Sequence, residues 1–236
     1  MTERKTNFER KSKETEIKGV LNIDGRGVTN IKTPIGLGLL DHMLELFAFH
    51  GFFDLELEVK GDTHIDIHHT NEDIGIVLGK AFKKVLGENL PGIKRFGRGA
   101  APMESTWSDV VIDISGRGYL RLSIDVGELH PPVYDGSGSS DGSGSGRGSG
   151  SGGGSGLGDG YGGSREGYFF NDLEHFLESF ALNLGATLNV TIHNPANGLH
   201  TIMETVFKSL GLALDQATQI DPRRSGAVPS TKGRID

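Results

Sequence analysis

Residues 65–75 read I-D-I-H-H-T-N-E-D-I-G, a stretch that sets two adjacent histidines directly before an apolar run with helical spacing. The run ends at Gly87, a residue type common at helix C-termini, so a helix is predicted to begin near His68. In such a helix Glu72 lies one turn beyond His68 on the same face, whereas His69 points about 100° away. An imidazole and a carboxylate on one face indicate a pair of ligands for a divalent cation.

The C-terminal half of the chain repeats this pattern. Residues 41–48 (D-H-M-L-E-L-F-A) resemble residues 174–181 (E-H-F-L-E-S-F-A), and a strand-like alternation follows each segment. The histidine of each segment is followed, 26 or 25 residues later, by a histidine that opens the next helix, with a glutamate one turn beyond it. These positions are His42, His68 and Glu72 in the first copy, and His175, His200 and Glu204 in the second. Because a hydrophobic core does not require polar residues in matching register, an internal duplication is predicted.

Composition limits the classes of protein to which the chain can belong. It has 236 residues, a formal net charge of −7 and no cysteine, so disulfides are excluded and a metal would bind through nitrogen and oxygen. No apolar run approaches the ~20 residues of a membrane span, and the charged residues 1–5 do not form the core of a secretion signal. We therefore expect a cytoplasmic protein without a membrane partner, and the acidic balance argues against nucleic acid as a partner.

The hydrophobic patterns predict the same succession of elements in both halves. Residues 1–12 are polar and are predicted to be loosely ordered. The first half is predicted to contain strands at 14–23 and 28–32, a helix at 40–50, a strand at 55–59 and the helix from His68. The second half is predicted to contain strands at 108–114 and 119–126, a helix at 171–184, a strand at 187–193 and a helix at 200–217.

Two copies of this unit indicate an α+β fold of internally duplicated, two-layer half-domains, with helices on one face of a small mixed or antiparallel sheet. The expected division gives residues 1–92 to the first half-domain, and residues 93–135 and 168–236 to the second. The two helix layers are expected to pack against each other, between the sheets.

Residues 136–167 belong to neither half. They contain sixteen glycines and nine serines, and they cannot bury enough apolar surface to offset the entropy of ordering. A flexible inserted linker, natural or engineered, is therefore predicted. The alternative is a glycine-rich nucleic-acid-binding segment, which is disfavoured because residues 136–163 contain one arginine, Arg147.

Six motifs, taken in order, resemble those of the imidazoleglycerol-phosphate dehydratase family. They are D-H-M-L at 41–44, G-D-T-H-I-D-I-H-H-T-N-E-D-I-G at 61–75, R-F-G at 95–97, S-G-R at 115–117, E-H-F at 174–176 and P-S-T-K-G at 229–233. The resemblance extends from Arg10 to Gly233, apart from the glycine-serine segment. It implies a hydro-lyase that converts D-erythro-imidazole glycerol phosphate to imidazole acetol phosphate in histidine biosynthesis. It also implies half-domains similar to the second domain of ribosomal protein S5.

The same resemblance implies a cofactor, an assembly and a set of site residues. Family members hold two Mn²⁺ ions per subunit, each with three histidines and one glutamate, at the interfaces of a 24-subunit shell built from trimers. The matching ligand positions here are His42, His68, His69, Glu72, His175, His200 and Glu204. The positions that match residues binding the substrate phosphate are Arg95, Arg117, Ser230 and Lys232, and Glu14 matches the family's catalytic acid–base. Guanidinium and ammonium groups beside a hydroxyl suit a phosphate dianion, although without the resemblance each would be interpreted as a surface charge.

Four departures from the family pattern fall on or near these positions, and one of them is the glycine-serine segment, which displaces the family's short acidic connection ahead of helix 171–184. Thr201 stands where the family has the second histidine of a pair, so one of eight expected ligands is missing. Ile67 replaces an aspartate before the first histidine pair, and residues 103–107 (M-E-S-T-W) replace a more acidic M-D-E-A-L. Two main hypotheses follow: an active dehydratase, or a catalytically impaired assembly scaffold derived from one. A third, a regulatory metal-binding domain, would leave the basic residues without a role.

Overall fold

The computed structural model describes residues 3–34, 37–61, 67–88, 90–126, 167–195, 198–224 and 226–235. Within these residues the helices are α1 (Gly38–Gly51), α2 (His68–Leu86), α3 (Phe170–Leu184) and α4 (Gly198–Thr218). The strands are β1 (Lys5–Lys11), β2 (Thr15–Asn22), β3 (Thr29–Lys32), β4 (Asp54–Gly61), β5 (Phe96–Met103), β6 (Thr106–Asp113), β7 (Tyr119–Asp125) and β8 (Thr187–His193). The elements predicted from the sequence are all present, with ends that differ by a few residues.

The described strands form two sheets with equivalent topology. The first has the order β1-β2-β4-β3 and the second the order β5-β6-β8-β7. In each sheet the first three strands are antiparallel, and the last pair, β3 with β4 or β7 with β8, is parallel. The matching order confirms the predicted α+β fold with two duplicated halves.

The prediction of a loosely ordered N-terminus was wrong, and the strand β5 was missed. Residues Lys5–Lys11 and Phe96–Met103 are the edge strands of the two sheets, at equivalent places in the duplication. Both sequences are poor in the apolar alternation by which a strand is recognised, and β5 contains two glycines and a proline. An edge strand tolerates such residues because one side of its backbone needs no ladder partner. Gly97 and Gly99 are also required, since a Cβ would lie 1.9 Å from the carbonyl oxygen of Ala213 or 2.2 Å from that of Ser209 on α4.

The helix layers meet face to face between the sheets, as predicted. Helix α2 of the first half packs on α3 of the second, and α1 packs on α4. Phenylalanines from both halves interlock at the centre: the ring of Phe82 lies 5.8 Å from that of Phe180 and 6.0 Å from that of Phe47, in edge-to-face arrangements. These rings are buried, so the apolar core is continuous across the two halves.

Glycines set the distance between the paired helices. A Cβ on Gly79 of α2 would lie 2.6 Å from the carbonyl oxygen of Phe180 on α3, and a Cβ on Gly211 of α4 would lie 2.5 Å from that of Phe47 on α1. The two glycines follow His68 and His200 by the same eleven residues, so they are equivalent in the duplication. Each histidine is therefore carried by a helix whose approach to the other half is fixed by the absence of a side chain.

Several regions named in the sequence analysis lie outside the described residues. These are residues 127–166, which include all of the predicted linker except Gly167, and residues 62–66 of the motif that precedes α2. Within the described part of the chain, no helix has the length and apolar character needed to cross a lipid bilayer.

The substitution Gly79→Ala tests the close contact between α2 and α3. Alanine raises helix propensity by about 1 kcal/mol relative to glycine, but overpacking against a main-chain oxygen costs roughly 1–3 kcal/mol. We expect the clash to prevail, because a backbone carbonyl cannot rotate away, and the midpoint of thermal unfolding to fall. Lys80→Ala, at the adjacent exposed position, is the control and should leave the midpoint nearly unchanged. Equal midpoints for both variants would contradict the packing described.

Candidate metal centres and anion pocket

The first cluster of ligand-type side chains joins α2 to α3. His68 Nδ1 lies 3.0 Å from His175 Nδ1, with the rings nearly perpendicular at 79°. This is the separation expected for two nitrogens that each lie about 2.1 Å from one ion at a right angle. Asp172 completes the cluster, with Oδ1 at 4.0 Å from His68 Nδ1, and one ligand atom from each of the three side chains lies within 4.8 Å of the others.

The second cluster joins α1 to α4. His200 Nε2 lies 2.7 Å from Glu204 Oε1, one turn along the same helix, and His42 Nε2 lies 3.4 Å from the same oxygen. The imidazoles of His42 and His200 are stacked, with centroids 5.7 Å apart. The buried Nδ1 of His200 has no hydrogen-bond partner among the described residues. Imidazole nitrogens and a carboxylate around one point fit a divalent cation of intermediate hardness, and no sulfur ligand is available to favour a softer one.

The surroundings of Glu204 in this second cluster favour its ionised carboxylate. Burial by itself raises the pKa of Glu204, but Lys208, whose ammonium donates to Oε2 at 2.6 Å, outweighs this effect together with hydrogen bonds from His42 and His200. The net result is a pKa below the usual value, so the carboxylate is ionised at neutral pH. Lys208 thus occupies one oxygen of Glu204 while the other faces the two imidazoles.

Each cluster combines residues from both halves of the duplication. His68 opens the second helix of the first half, yet it meets His175 from the first helix of the second half. The reverse pairing brings His42 to His200. Sequence symmetry indicates equivalent ligands in the two halves but not this exchange, which results from the packing of α2 on α3 and of α1 on α4.

Two of the predicted ligands lie at the margin of the clusters. Glu72 Oε2 is 4.0 Å from His68 Nε2, as the one-turn spacing predicted. The ring of His69 lies 5.8 Å from that of His68, and its Nδ1 lies 3.5 Å from Glu14 Oε2, with about 60% of the His69 and Glu14 side chains exposed. Glu14 is thereby next to a predicted ligand, although 55 residues separate the two in the chain.

Asp172 was not predicted from the sequence. It lies three residues before His175, and its Oδ2 accepts a hydrogen bond of 2.8 Å from the backbone N–H of Phe169, which caps α3. An acidic residue in the first turn of a helix is ordinarily explained by such a capping interaction. The sequence around Asp172 therefore does not indicate a metal ligand. Its one distinguishing feature, nearness to His68, depends on a contact between helices that are distant in sequence.

The predicted phosphate-binding residues line a cavity of about 510 Å³. Arg95, Arg117, Ser230 and Lys232 all contribute to its walls, together with Arg224 and Arg234, which the sequence analysis had not selected. Arg95 also has a structural role. Its guanidinium donates to both oxygens of Asp113, at 2.6 and 3.0 Å, and to the carbonyl oxygen of Pro229 at 3.0 Å. These bonds fix the C-terminal segment as one wall of a strongly cationic cavity.

The departures from the family pattern have different structural settings. Thr201 is buried on α4, directly after His200. Ile67 is the residue before α2 and packs partly buried against the core, so it provides no carboxylate. Residues 103–107 span the end of β5, a turn at 104–105 and the start of β6, where Trp107 stacks on His193 at 3.8 Å, outside the two clusters.

The chain is similar to known proteins in both sequence and fold. A family model described as imidazoleglycerol-phosphate dehydratase matches residues 35–132. The imidazoleglycerol-phosphate dehydratase of Pelobacter propionicus is 42% identical over 231 residues, which cover 98% of this chain and 98% of the relative. The protein of the same description from Thermoanaerobacter sp. (strain X514) is 41% identical, with the same coverage of both chains.

Solved structures show the same likeness. The crystal structure of IGPD from Pyrococcus furiosus in complex with (S)-C348 superposes with a TM-score of 0.68 at 30% identity, covering 96% of this chain and 99% of that one. The imidazoleglycerol-phosphate dehydratase structure from Staphylococcus aureus subsp. aureus N315 gives 0.63 at 23% identity, covering 92% and 100%, a likeness of fold.

Titration with Mn²⁺ tests whether the first cluster holds a cation. An ion that binds only the folded protein stabilises it by about 2.7 kcal/mol at a concentration of 100 times Kd. We expect Mn²⁺ to raise the unfolding temperature of the wild type, and His175→Ala to lose part of this rise because a ring nitrogen is removed. His193→Ala, which removes a histidine outside both clusters, is the matched control and should respond like the wild type. An unchanged response in His175→Ala would exclude it as a ligand.

Proposed function

Because the chain belongs to the imidazoleglycerol-phosphate dehydratase family, we propose that its two histidine clusters form the reaction centre of this hydro-lyase. The reaction is the dehydration of D-erythro-imidazole glycerol phosphate to imidazole acetol phosphate in histidine biosynthesis. The single observation that supports this location best is the duplicated pair of clusters, in which His68 meets His175 and His42 meets His200.

The cofactor proposed is Mn²⁺, with two ions per chain. The ligand set comprises His42, His68, His69, Glu72, His175, His200 and Glu204. Nitrogen and oxygen donors together suit this ion, and the ionised carboxylate of Glu204 offsets part of its charge. When bound, such ions supply positive charge that stabilises electron density on the substrate's imidazole ring as the hydroxyl leaves.

The cationic cavity is proposed to bind the phosphate end of the substrate. Arg117 and Lys232 are exposed at its wall and can approach a dianion, while Ser230 supplies a hydroxyl on the same wall as Lys232. Arg95 contributes charge and also holds the wall in place through Pro229. Charge-assisted hydrogen bonds of this kind fix both the position and the orientation of a phosphorylated substrate.

Glu14 is proposed as the acid–base that removes the carbon-bound proton of the substrate. Its carboxylate lies 3.5 Å from the ring of His69, one of the proposed ligands, so a substrate bound at an ion on His69 would lie near this oxygen. The backbone around Glu14 is fixed by Ser12, whose hydroxyl accepts hydrogen bonds from the N–H groups of Glu14 and Thr15. A carboxylate placed in this way can transfer the proton that the elimination requires.

The proposal also covers the division into half-domains, the cellular location and the subunits that complete the site. We assign residues 1–92 to the first half-domain, 93–135 and 168–236 to the second, and 136–167 to an inserted linker. A cytoplasmic location is proposed on the grounds of the biosynthetic family. No described residue belongs to both the cationic cavity and the two clusters, which favours a site completed by neighbouring subunits.

The alternative hypothesis, a catalytically impaired assembly scaffold, rests mainly on the ligand missing at Thr201, together with the carboxylate missing at Ile67. Despite the missing imidazole, each cluster contains three ligand-type side chains in close approach, one of them the unpredicted Asp172. This arrangement favours the dehydratase over the scaffold.

The variant Glu14→Gln tests the proposed acid–base. Loss of a general acid–base lowers turnover by about 10²–10⁴-fold, and we expect this fall with the Mn²⁺ content unchanged. Glu16→Gln is the matched control, because Glu16 is a nearby, partly exposed carboxylate paired with Lys11 and Lys60. Full activity in Glu14→Gln would remove this residue from the mechanism, and absence of turnover in the wild type would contradict the proposed function.

Mass photometry tests the proposed assembly of trimers into a shell of 24 chains. Exposed apolar side chains support subunit contacts: Val28, Phe49 and Phe52 are 65%, 62% and 58% exposed. We expect a species near 24 times 25.3 kDa in the presence of Mn²⁺. A stable monomer under these conditions would contradict the assembly and with it a site shared between subunits.

A further inference from the structure

We propose that Asp172 is a metal ligand of the first cluster. The inference rests on the proposed function, since it concerns the same metal-binding site. It adds a carboxylate ligand that the family pattern does not contain.

The contacts of Asp172 divide between its two oxygens. Oδ2 accepts the capping hydrogen bond from the N–H of Phe169, whereas Oδ1 is the oxygen turned toward His68 Nδ1, at 4.0 Å. His68 Nδ1 in turn lies 3.0 Å from His175 Nδ1. A single ion between these atoms would therefore meet two imidazole nitrogens and one carboxylate oxygen.

Asp172 is held in this position by a buried network from α2. The side-chain amide of Asn71 donates to the backbone carbonyl of Asp172 at 2.8 Å, and Asn71 in turn accepts a hydrogen bond of 2.7 Å from the hydroxyl of Tyr168. Burial raises the pKa of Tyr168 well above its usual range, and the negative charge of Asp172 adds to this effect, so the hydroxyl stays protonated and remains a donor. A preorganised carboxylate of this kind is what a metal ligand requires.

The duplication shows that this carboxylate is not a general requirement of the fold. The residue three positions before His42, equivalent to Asp172, is the buried Leu39. The residue equivalent to Thr201 is His69. The second half has thus lost an imidazole at Thr201, next to the second cluster, and gained a carboxylate at Asp172, in the first cluster.

Capping of α3 alone does not account for the burial of Asp172. A capping interaction uses one oxygen, and asparagine or serine would provide it without a charge. Asp172 is only 7% exposed and lies beside two imidazoles, with a second carboxylate, Glu72, near His68. A divalent cation held by these groups would offset the negative charge gathered there.

The variant Asp172→Asn separates the two roles, because asparagine keeps an oxygen that can cap α3 but replaces the carboxylate with a weak neutral ligand. Mn²⁺ binding is measured on the full chain, as ions per chain after dialysis and as Kd from the electron paramagnetic resonance signal of unbound Mn²⁺. We expect the affinity of one of two sites to fall by at least about tenfold. Glu178→Gln, the same change in charge at an exposed position of α3, is the matched control and should bind like the wild type.

The possible outcomes distinguish the inference from the function on which it rests. If Asp172→Asn binds two ions with wild-type affinity, Asp172 only caps the helix and the inference is wrong, while the proposed function is unaffected. If the wild type binds no Mn²⁺, both the inference and the proposed metal-dependent function fail. Should Asp172→Asn fold poorly, Asp172→Ser retains a capping hydroxyl, and the same loss of affinity is expected for it.

Discussion

The close packing of helices from opposite halves is the constraint on which the site depends. Gly79 and Gly211 are equivalent positions, and each lets a helix approach a main-chain carbonyl of the other half more closely than any side chain would allow. The same two helices begin with His68 and His200, so the contact that closes the core also determines which imidazoles meet. Stability and ligand geometry therefore have one physical cause.

The two centres have diverged in charge although they come from a duplication. Glu204 is neutralised in part by Lys208, whose equivalent in the first half is the apolar Ile76. The first cluster instead has Asp172, whose equivalent is Leu39. One centre thus has an additional cation nearby and the other an additional anion. Because electrostatic interactions are strong in partly buried places, the two centres are expected to differ in their affinity for a divalent ion.

The edges of the sheets show where local sequence signals are weakest. β1 and β5 were missed because an edge strand draws much of its stability from its neighbour and needs little apolar alternation of its own. Phe8 of β1, for example, packs over Gly19 of β2, and Arg10 bonds to Asp73 on α2 at 2.8 Å. Both contacts join residues that no short window of sequence connects. The inner strands and the helices, by contrast, were predicted because burial of one face imposes a regular period.

The sequence by itself determined the duplicated α+β architecture, the helices that carry His42, His68, His175 and His200, and the residue types available to a metal. These properties follow from periodicity and from matching register, which are local or repeated features of the chain. Only the tertiary structure decided that the ligands are exchanged between halves, that Glu14 lies beside His69, and that Asp172 joins His68 and His175. The reason is that contacts between helices depend on the shapes of both packed surfaces, and a one-dimensional pattern specifies which face is buried but not which partner covers it.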